Sequence, residues 1–393
     1  MKLQLISVGR LPWYREGGKL FFFYTPRLGL PYIAAVTPPD WKVEILDGVQ
    51  VEDINFRKKV DLVGFSVLTP FANDAYRAAD MFRRRGVKVV MGGVHPTLVP
   101  EEVKAHADSV VVGEGEEVWP QLLKDFSRDK LKPFYVQEKP VAFDSLPTPR
   151  YSEIRGGKYF VARGIQIVRG CPYGRDCKFC IVPKLFGKTY RTMPVKRAME
   201  EVGKIAEDGG ASGVNVSACC ALNHTAYIRS FAGAIREMNV KWCGGGLIHR
   251  LGDRRLMKLF KESGCECIYT ESEVTSKRKN AAKYRKYCDV VRMIRDYGIT
   301  ISYNFTVGFD DDNREVIDDV LSFVEKTGLD RNLCAVQLFA PWPNTDEHVR
   351  LEKEGRIIDR DWSRYDNTMV VFRPKLMSVE ELHNIYWKRV MKG

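Results

Sequence analysis

Two runs of alternating strand-like and helix-like stretches, divided by a proline-rich gap, limit what this chain can fold into. In residues 1–130 the short apolar stretches are "LQLISVG", "KVEILDG", "DLVGFSVL", "VKVVMGG" and "SVVVG". Between them lie "RLGLPYIAAV", "NDAYRAADMFRRRG" and "EEVKAHA", and "EEVWPQLLKDF" closes the run. The second of these helical stretches predicts an N-cap at Asn73 and a stop at Gly86. Apolar strands that alternate with helices are buried on both faces, so the run predicts a parallel, doubly wound (Rossmann-like) α/β sheet over residues 1–140. The period then fails. "KPVAFDSLPTPRYSEI" carries three prolines and no alternation, so residues 141–160 read as a linker.

A second run begins at "GIQIVRG". Strands are expected at 164–169, 212–217, 240–244, 266–271, 299–307 and 332–340. Helices are expected near 194–208, 224–238, 253–263, 283–297 and 313–327. Six such units over residues 161–345 predict a partial (β/α)6, TIM-like barrel, with chemistry on the loops at the C-terminal strand ends. Residues 346–393, ending in "SVEELHNIYWKRVMKG", are expected to form a short helical extension.

At 393 residues, 45% apolar and 28% charged, the chain is in the range of soluble globular proteins of two domains. No apolar run approaches the roughly 18 residues needed for a membrane span. The start lacks the apolar core and cleavage site of a secretory signal, so a cytoplasmic protein is expected. The net charge of +12 is spread along the chain, with one dense run, "SKRKNAAKYRKY". That spread argues against nucleic acid and for a solvated basic face or attraction for an anionic substrate or cofactor.

Ten cysteines in a cytosolic chain are not a disulfide framework. Seven are scattered, as small buried hydrophobes are. The other three, Cys171, Cys177 and Cys180, crowd into "CPYGRDCKFC" directly after the first strand of the second run. A structural zinc site takes four ligands. Iron–sulfur cubanes are held by thiolates, usually four, and with three one iron stays open. The residues leave iron–sulfur, zinc and inert thiols open, and favour iron–sulfur.

This three-cysteine loop, with an aromatic in "CKFC", resembles the radical S-adenosylmethionine (SAM) superfamily. The resemblance implies a [4Fe-4S] cluster on Cys171, Cys177 and Cys180 whose open iron chelates SAM, and Phe179 near the adenine; a core aromatic is the plainer role. The family's usual spacing is x3 then x2, and here it is x5 then x2. In the first run, "SVLT", "GGVHPT" and "GEGE" follow the third, fourth and fifth strands and resemble the cobalamin-binding domain of cobalamin-dependent members. That resemblance implies cobalamin near Ser66, Leu68, Thr69, Gly92, Gly93, Gly113 and Glu114; a vestigial domain is the alternative. The fingerprint D-x-H-x-x-G is absent, replaced by "RLPWYREGG", so no histidine reaches cobalt from there. His95 is a candidate by type only, and a turn residue before Pro96 is its plainer role.

Further on, "LFAPWPNT" has Asn344 where the pattern has Gly, and "ACCALNH" stands where an acidic pair is usual. Cys219 and Cys220 are therefore candidates for an extra metal or substrate contact, or small buried thiols. In "YTESEV", Glu271 or Glu273 is a candidate for the SAM ribose, or a surface carboxylate. The implied activity is methyl transfer from methylcobalamin to an unactivated carbon of a small molecule through a 5′-deoxyadenosyl radical. Its electrons would come from an external donor such as flavodoxin or ferredoxin. Ring closure without methyl transfer, as in anaerobic porphyrin cyclisation, and a non-catalytic cofactor-binding protein are the alternatives.

Overall fold

The computed structural model describes residues 1–9, 27–155, 163–171, 177–207, 213–218, 220–273 and 280–391. The stretch "RLPWYREGG" and Cys219 lie outside them, as do the five residues between Cys171 and Cys177.

The first run forms β1 (Lys2–Val8), β2 (Lys42–Val49), β3 (Leu62–Ser66), β4 (Lys88–Gly92), β5 (Ser109–Val112), β6 (Phe134–Val136) and β7 (Ile154–Arg155). They make one parallel sheet in the order β6-β5-β4-β3-β1-β2-β7. Alternation sorts the side chains between two cores. Leu3 and Leu5 of β1 face a layer with Trp41, Trp119 and Leu122. Ile6 and Val8 face another with Phe65, Ala75 and Phe82. The order of strands reverses beside β1, and in such sheets ligands collect outside the carboxyl ends of the strands.

Helix α1 (Gly29–Ala35) follows β1, α2 (Ala72–Arg84) follows β3, α3 (Val94–Leu98) and α4 (Pro100–Lys104) follow β4, and α5 (Trp119–Phe126) follows β5. Asn73 is not the cap of α2. The helix starts one residue earlier, after Phe71, with no side-chain cap. Asn73 instead donates to Asp361 Oδ1 at 2.6 Å, a partner far off in sequence. Residues 141–155, expected as linker, carry two 3₁₀ turns and the edge strand β7. Val141, Phe143 and Leu146 are buried in the second domain's core, which the prolines alone do not reveal.

The second run has a parallel sheet of six strands: β8 (Arg163–Ile165), β11 (Val214–Val216), β12 (Trp242–Gly245), β13 (Cys265–Glu273), β14 (Thr300–Val307) and β15 (Cys334–Leu338). A separate antiparallel pair, β9 (Val168–Gly170) with β10 (Tyr190–Thr192), lies between β8 and β11, and sequence periodicity does not show it. The short α6 (Val182–Phe186) sits inside this hairpin. The remaining helices are α7 (Val195–Glu207), α8 (Thr225–Arg236), α9 (Arg254–Glu262), α10 (Ala281–Asp296) and α11 (Val316–Thr327). In α9, Asp253 caps the N-terminus through Arg255 N and Leu256 N, and Leu256, Met257 and Phe260 form the buried face.

The C-terminal segment contains α12 (Asp346–Lys353) and α13 (Val379–Tyr386). It is more than helical. Arg350 and Arg356 pin it to Asp310 at 2.8 Å. Between the two helices, Trp362 Nε1 donates to Glu102 of the first domain at 2.7 Å. Among the described residues, no helix is long and apolar enough to cross a membrane.

Candidate active site

The thiol loop is set up by Gly170, where β9 ends. Its φ is +85°, and a Cβ there would lie 1.8 Å from the Thr189 carbonyl oxygen, so only glycine carries the chain into Cys171. Beyond the loop, Cys180 N donates to Cys177 O at 3.3 Å, a turn that brings the second and third cysteines together. Val182 N donates to Cys180 Sγ at 3.4 Å. Burial pushes the Cys180 thiol up to about 11, and the fields of Cys177, Cys171 and Glu271 add to it. All three groups are thus close enough to act on Cys180 electrostatically. Among the described residues, no three His, Cys, Asp or Glu side chains converge on a single metal ion.

Of the groups that act on Cys180, Glu271 lies near the carboxyl end of β13, open to solvent yet ringed by protein atoms. Desolvation raises its carboxyl above the ordinary range, offset by a hydrogen bond with Asn304. Glu273 lies on the same strand, two residues on. Phe179, half-buried, packs on Phe309 with centroids 5.6 Å apart and edge-on to Phe339 at 6.1 Å. Cys220 is 7% exposed, and its Sγ lies 3.1 Å from Cys171 Sγ. Sequence reasoning singled out Cys220 but could not say which thiol it meets.

A cavity of about 330 Å³ opens at the carboxyl ends of β3, β4 and β5. Ser66, Leu68, Gly92, Gly93, Gly113 and Glu114 line it, as does Gly64. Gly93 has φ +97°, and a Cβ there would sit 3.0 Å from Ser66 Oγ and 3.1 Å from Val67 N. Bare backbone at Gly93 lets the end of β4 pack closely on the end of β3 at the rim of this slot.

Two of the expected cobalamin contacts lie elsewhere. Thr69 and His95 are both fully buried, and neither lines the cavity. His95 Nδ1 lies 3.2 Å from Thr69 Oγ1 and Nε2 lies 2.9 Å from the Tyr76 hydroxyl. Both ring nitrogens are thus engaged, and the ring is held within the domain. Glu114 does line the cavity, and its carboxylate is paired with two arginines of the barrel side. Arg169 Nη1 donates to it at 2.6 Å and Arg191 Nη2 at 2.5 Å.

Arg169, Arg191 and Glu116 form, with Glu114, the ion pairs between the two domains here, and the sequence reading did not single them out. Arg169 is 3% exposed, and it also bonds Glu116 and accepts contact from the face of Phe143 at 5.3 Å. Both acids of "GEGE" are thereby spent on an arginine two residues before Cys171. The signal was a charged residue inside an apolar strand, "IVRGC", which has no reason to be buried without a partner.

Fold and site together define an enzyme with two cofactor positions, a doubly wound corrinoid-type domain set against a partial barrel that carries a three-thiol loop. The chain matches the B12 binding domain family over residues 21–123 and the Radical SAM superfamily over residues 165–324. It belongs to the cobalamin-binding radical SAM enzymes. It is 28% identical to the bacteriochlorophyllide d C-8(2)-methyltransferase of Chlorobaculum tepidum, over 93% of this chain and 86% of that one. It is 24% identical to the anaerobic magnesium-protoporphyrin IX monomethyl ester cyclase of Cereibacter sphaeroides, over 82% of this chain and 58% of that one. Among solved structures, the radical SAM methyltransferase TsrM of Kitasatospora setae, with cobalamin and a [4Fe-4S] cluster bound, superposes with a TM-score of 0.65. That likeness covers 90% of this chain and 78% of TsrM at 14% identity, so it bears on the fold alone.

Proposed function

We propose that this protein transfers a methyl group from cobalamin to an unactivated carbon of a small molecule. When bound, the cluster supplies the electron that cleaves SAM to a 5′-deoxyadenosyl radical, and cobalamin carries the methyl group. In this reading Cys171, Cys177 and Cys180 hold the cluster, Phe179 and Glu271 face SAM, and Glu273 on the same strand is the alternative to Glu271. Ser66, Leu68, Gly92, Gly93 and Gly113 line the slot for the cobalamin tail. The observation that carries it is Arg169, which lines the cavity of the first domain and stands two residues from the first cluster thiol. Cofactors held that close act on one substrate. Curated relatives support the choice of reaction, since the C-8(2) and C-12(1) methyltransferases of bacteriochlorophyllide d and a hopanoid C-2 methylase all span most of this chain.

The enzyme works in the cytoplasm with a soluble one-electron donor of the flavodoxin or ferredoxin type. Lys178 and Lys188, exposed on either side of the loop's end, give an acidic donor a basic surface beside the cluster. The test is anaerobic reconstitution with iron, sulfide and hydroxocobalamin, then reduction and addition of SAM. Methyl transfer yields both S-adenosylhomocysteine and 5′-deoxyadenosine. 5′-Deoxyadenosine without S-adenosylhomocysteine shows radical cleavage of SAM without methyl transfer and overturns the methyltransferase reading, and neither product indicates a binding protein.

A further inference from the structure

We propose that Cys220 is a positioning residue of the cluster, its S–H donating a hydrogen bond to the Cys171 sulfur and raising the cluster's reduction potential. This rests on the reading of Cys171 as a cluster ligand. The Sγ–Sγ separation is 3.1 Å. Two thiolates on one cubane bind different irons and stand well apart, so contact at this distance does not suit a pair of ligands. It suits a donor and an acceptor. With iron on Cys171 that sulfur is a thiolate and carries no proton, which leaves Cys220 as the donor.

The pair is built rather than accidental. Tyr190 is the strand partner of Gly170, the residue before Cys171. Its hydroxyl donates to the Cys220 carbonyl at 3.1 Å. One hairpin therefore fixes both thiols. From the other side Tyr269 ties down the preceding residues, accepting from Ala218 N at 3.2 Å and donating to Val216 O at 2.6 Å. Cys180 already has a donor in Val182 N, so two of the three cluster sulfurs would carry one. Hydrogen bonds to the sulfurs are among the levers that set a cluster's potential, because they draw charge from the thiolate and stabilise the reduced state. Removing the Cys220 donor should make the cluster harder to reduce.

The experiment is a redox titration followed by electron paramagnetic resonance, on the full chain reconstituted with iron and sulfide and without SAM. The parent, Cys220→Ala and Cys220→Ser should each bind about four irons and four sulfides. Cys220→Ala should show a more negative midpoint potential, and Cys220→Ser, which keeps a donor, should stay near the parent. An unchanged potential in Cys220→Ala overturns the proposal. So does loss of iron from that variant, which would make Cys220 a ligand. A parent that takes up neither iron nor sulfide sinks the cluster reading instead.

Discussion

One methyl group at Gly170 would drive a carbon into the Thr189 carbonyl, and the chain could relieve that contact only by moving Cys171 or opening the hairpin. Gly170→Ala should therefore lose most of its iron and sulfide, though it keeps all three cysteines. Replacing Cys171, Cys177 or Cys180 with Ala should do the same, by colorimetric iron and sulfide assay. Full occupancy in these variants would remove the loop from the cluster. At the cobalamin cavity the informative change is Gly92→Val, because Gly92 lines the slot without the positive φ of Gly93. Hydroxocobalamin binding should weaken at least tenfold, and equal affinity would place the tail elsewhere. Single residues were unevenly legible in the sequence. Asn344, standing where the family pattern has Gly, has φ +58°, the left-handed conformation that explains that preference. Thr69 and His95 lie off the cavity, which the sequence could not show, because a motif gives position along the chain but not the direction of a side chain.

Between elements, the strongest link is Arg169 of β9 against Glu114 and Glu116 beyond β5. Arg169→Met would leave two nearly buried carboxylates, with Arg191 answering only Glu114. Breaking a buried ion pair on one side costs about 3–5 kcal/mol. The cofactor-free variant should unfold at clearly lower urea than the parent, and a matching midpoint would show the pairs to be incidental. A second contact, the Tyr32 hydroxyl of α1 donating to Glu201 of α7 at 3.5 Å, depends on pH. Glu201 of α7 is 1% exposed, and burial pushes its carboxyl up to about 7 despite Arg197 at 3.1 Å. The folded state then holds a proton that the unfolded chain releases at its ordinary, lower value. Stability from this group is complete below that ordinary value and falls as pH rises to about 7. Glu201→Gln should flatten the melting temperature over that window and raise it above pH 7, and a parallel pH profile would contradict this. Strands and helices were legible because period and burial act locally. The β9–β10 hairpin and the edge strand β7 were not, since three-residue and two-residue strands carry no period to read.

At the scale of the whole molecule, the first domain offers a bare-backbone slot, the barrel offers clustered thiols, and a buried arginine joins them. The two-domain plan followed from the alternation and the proline gap. Their mutual placement did not, because it depends on charged pairs between residues more than fifty positions apart. The central claim is that cluster and cobalt sit side by side in one chain. It is tested most directly by electron paramagnetic resonance of the fully reconstituted protein, with the cluster reduced and cobalamin in its cobalt(II) state. The account predicts spin–spin splitting or broadening of the cobalt signal, absent when Cys171, Cys177 and Cys180 are replaced. Two independent signals, each matching its cofactor measured alone, would contradict it.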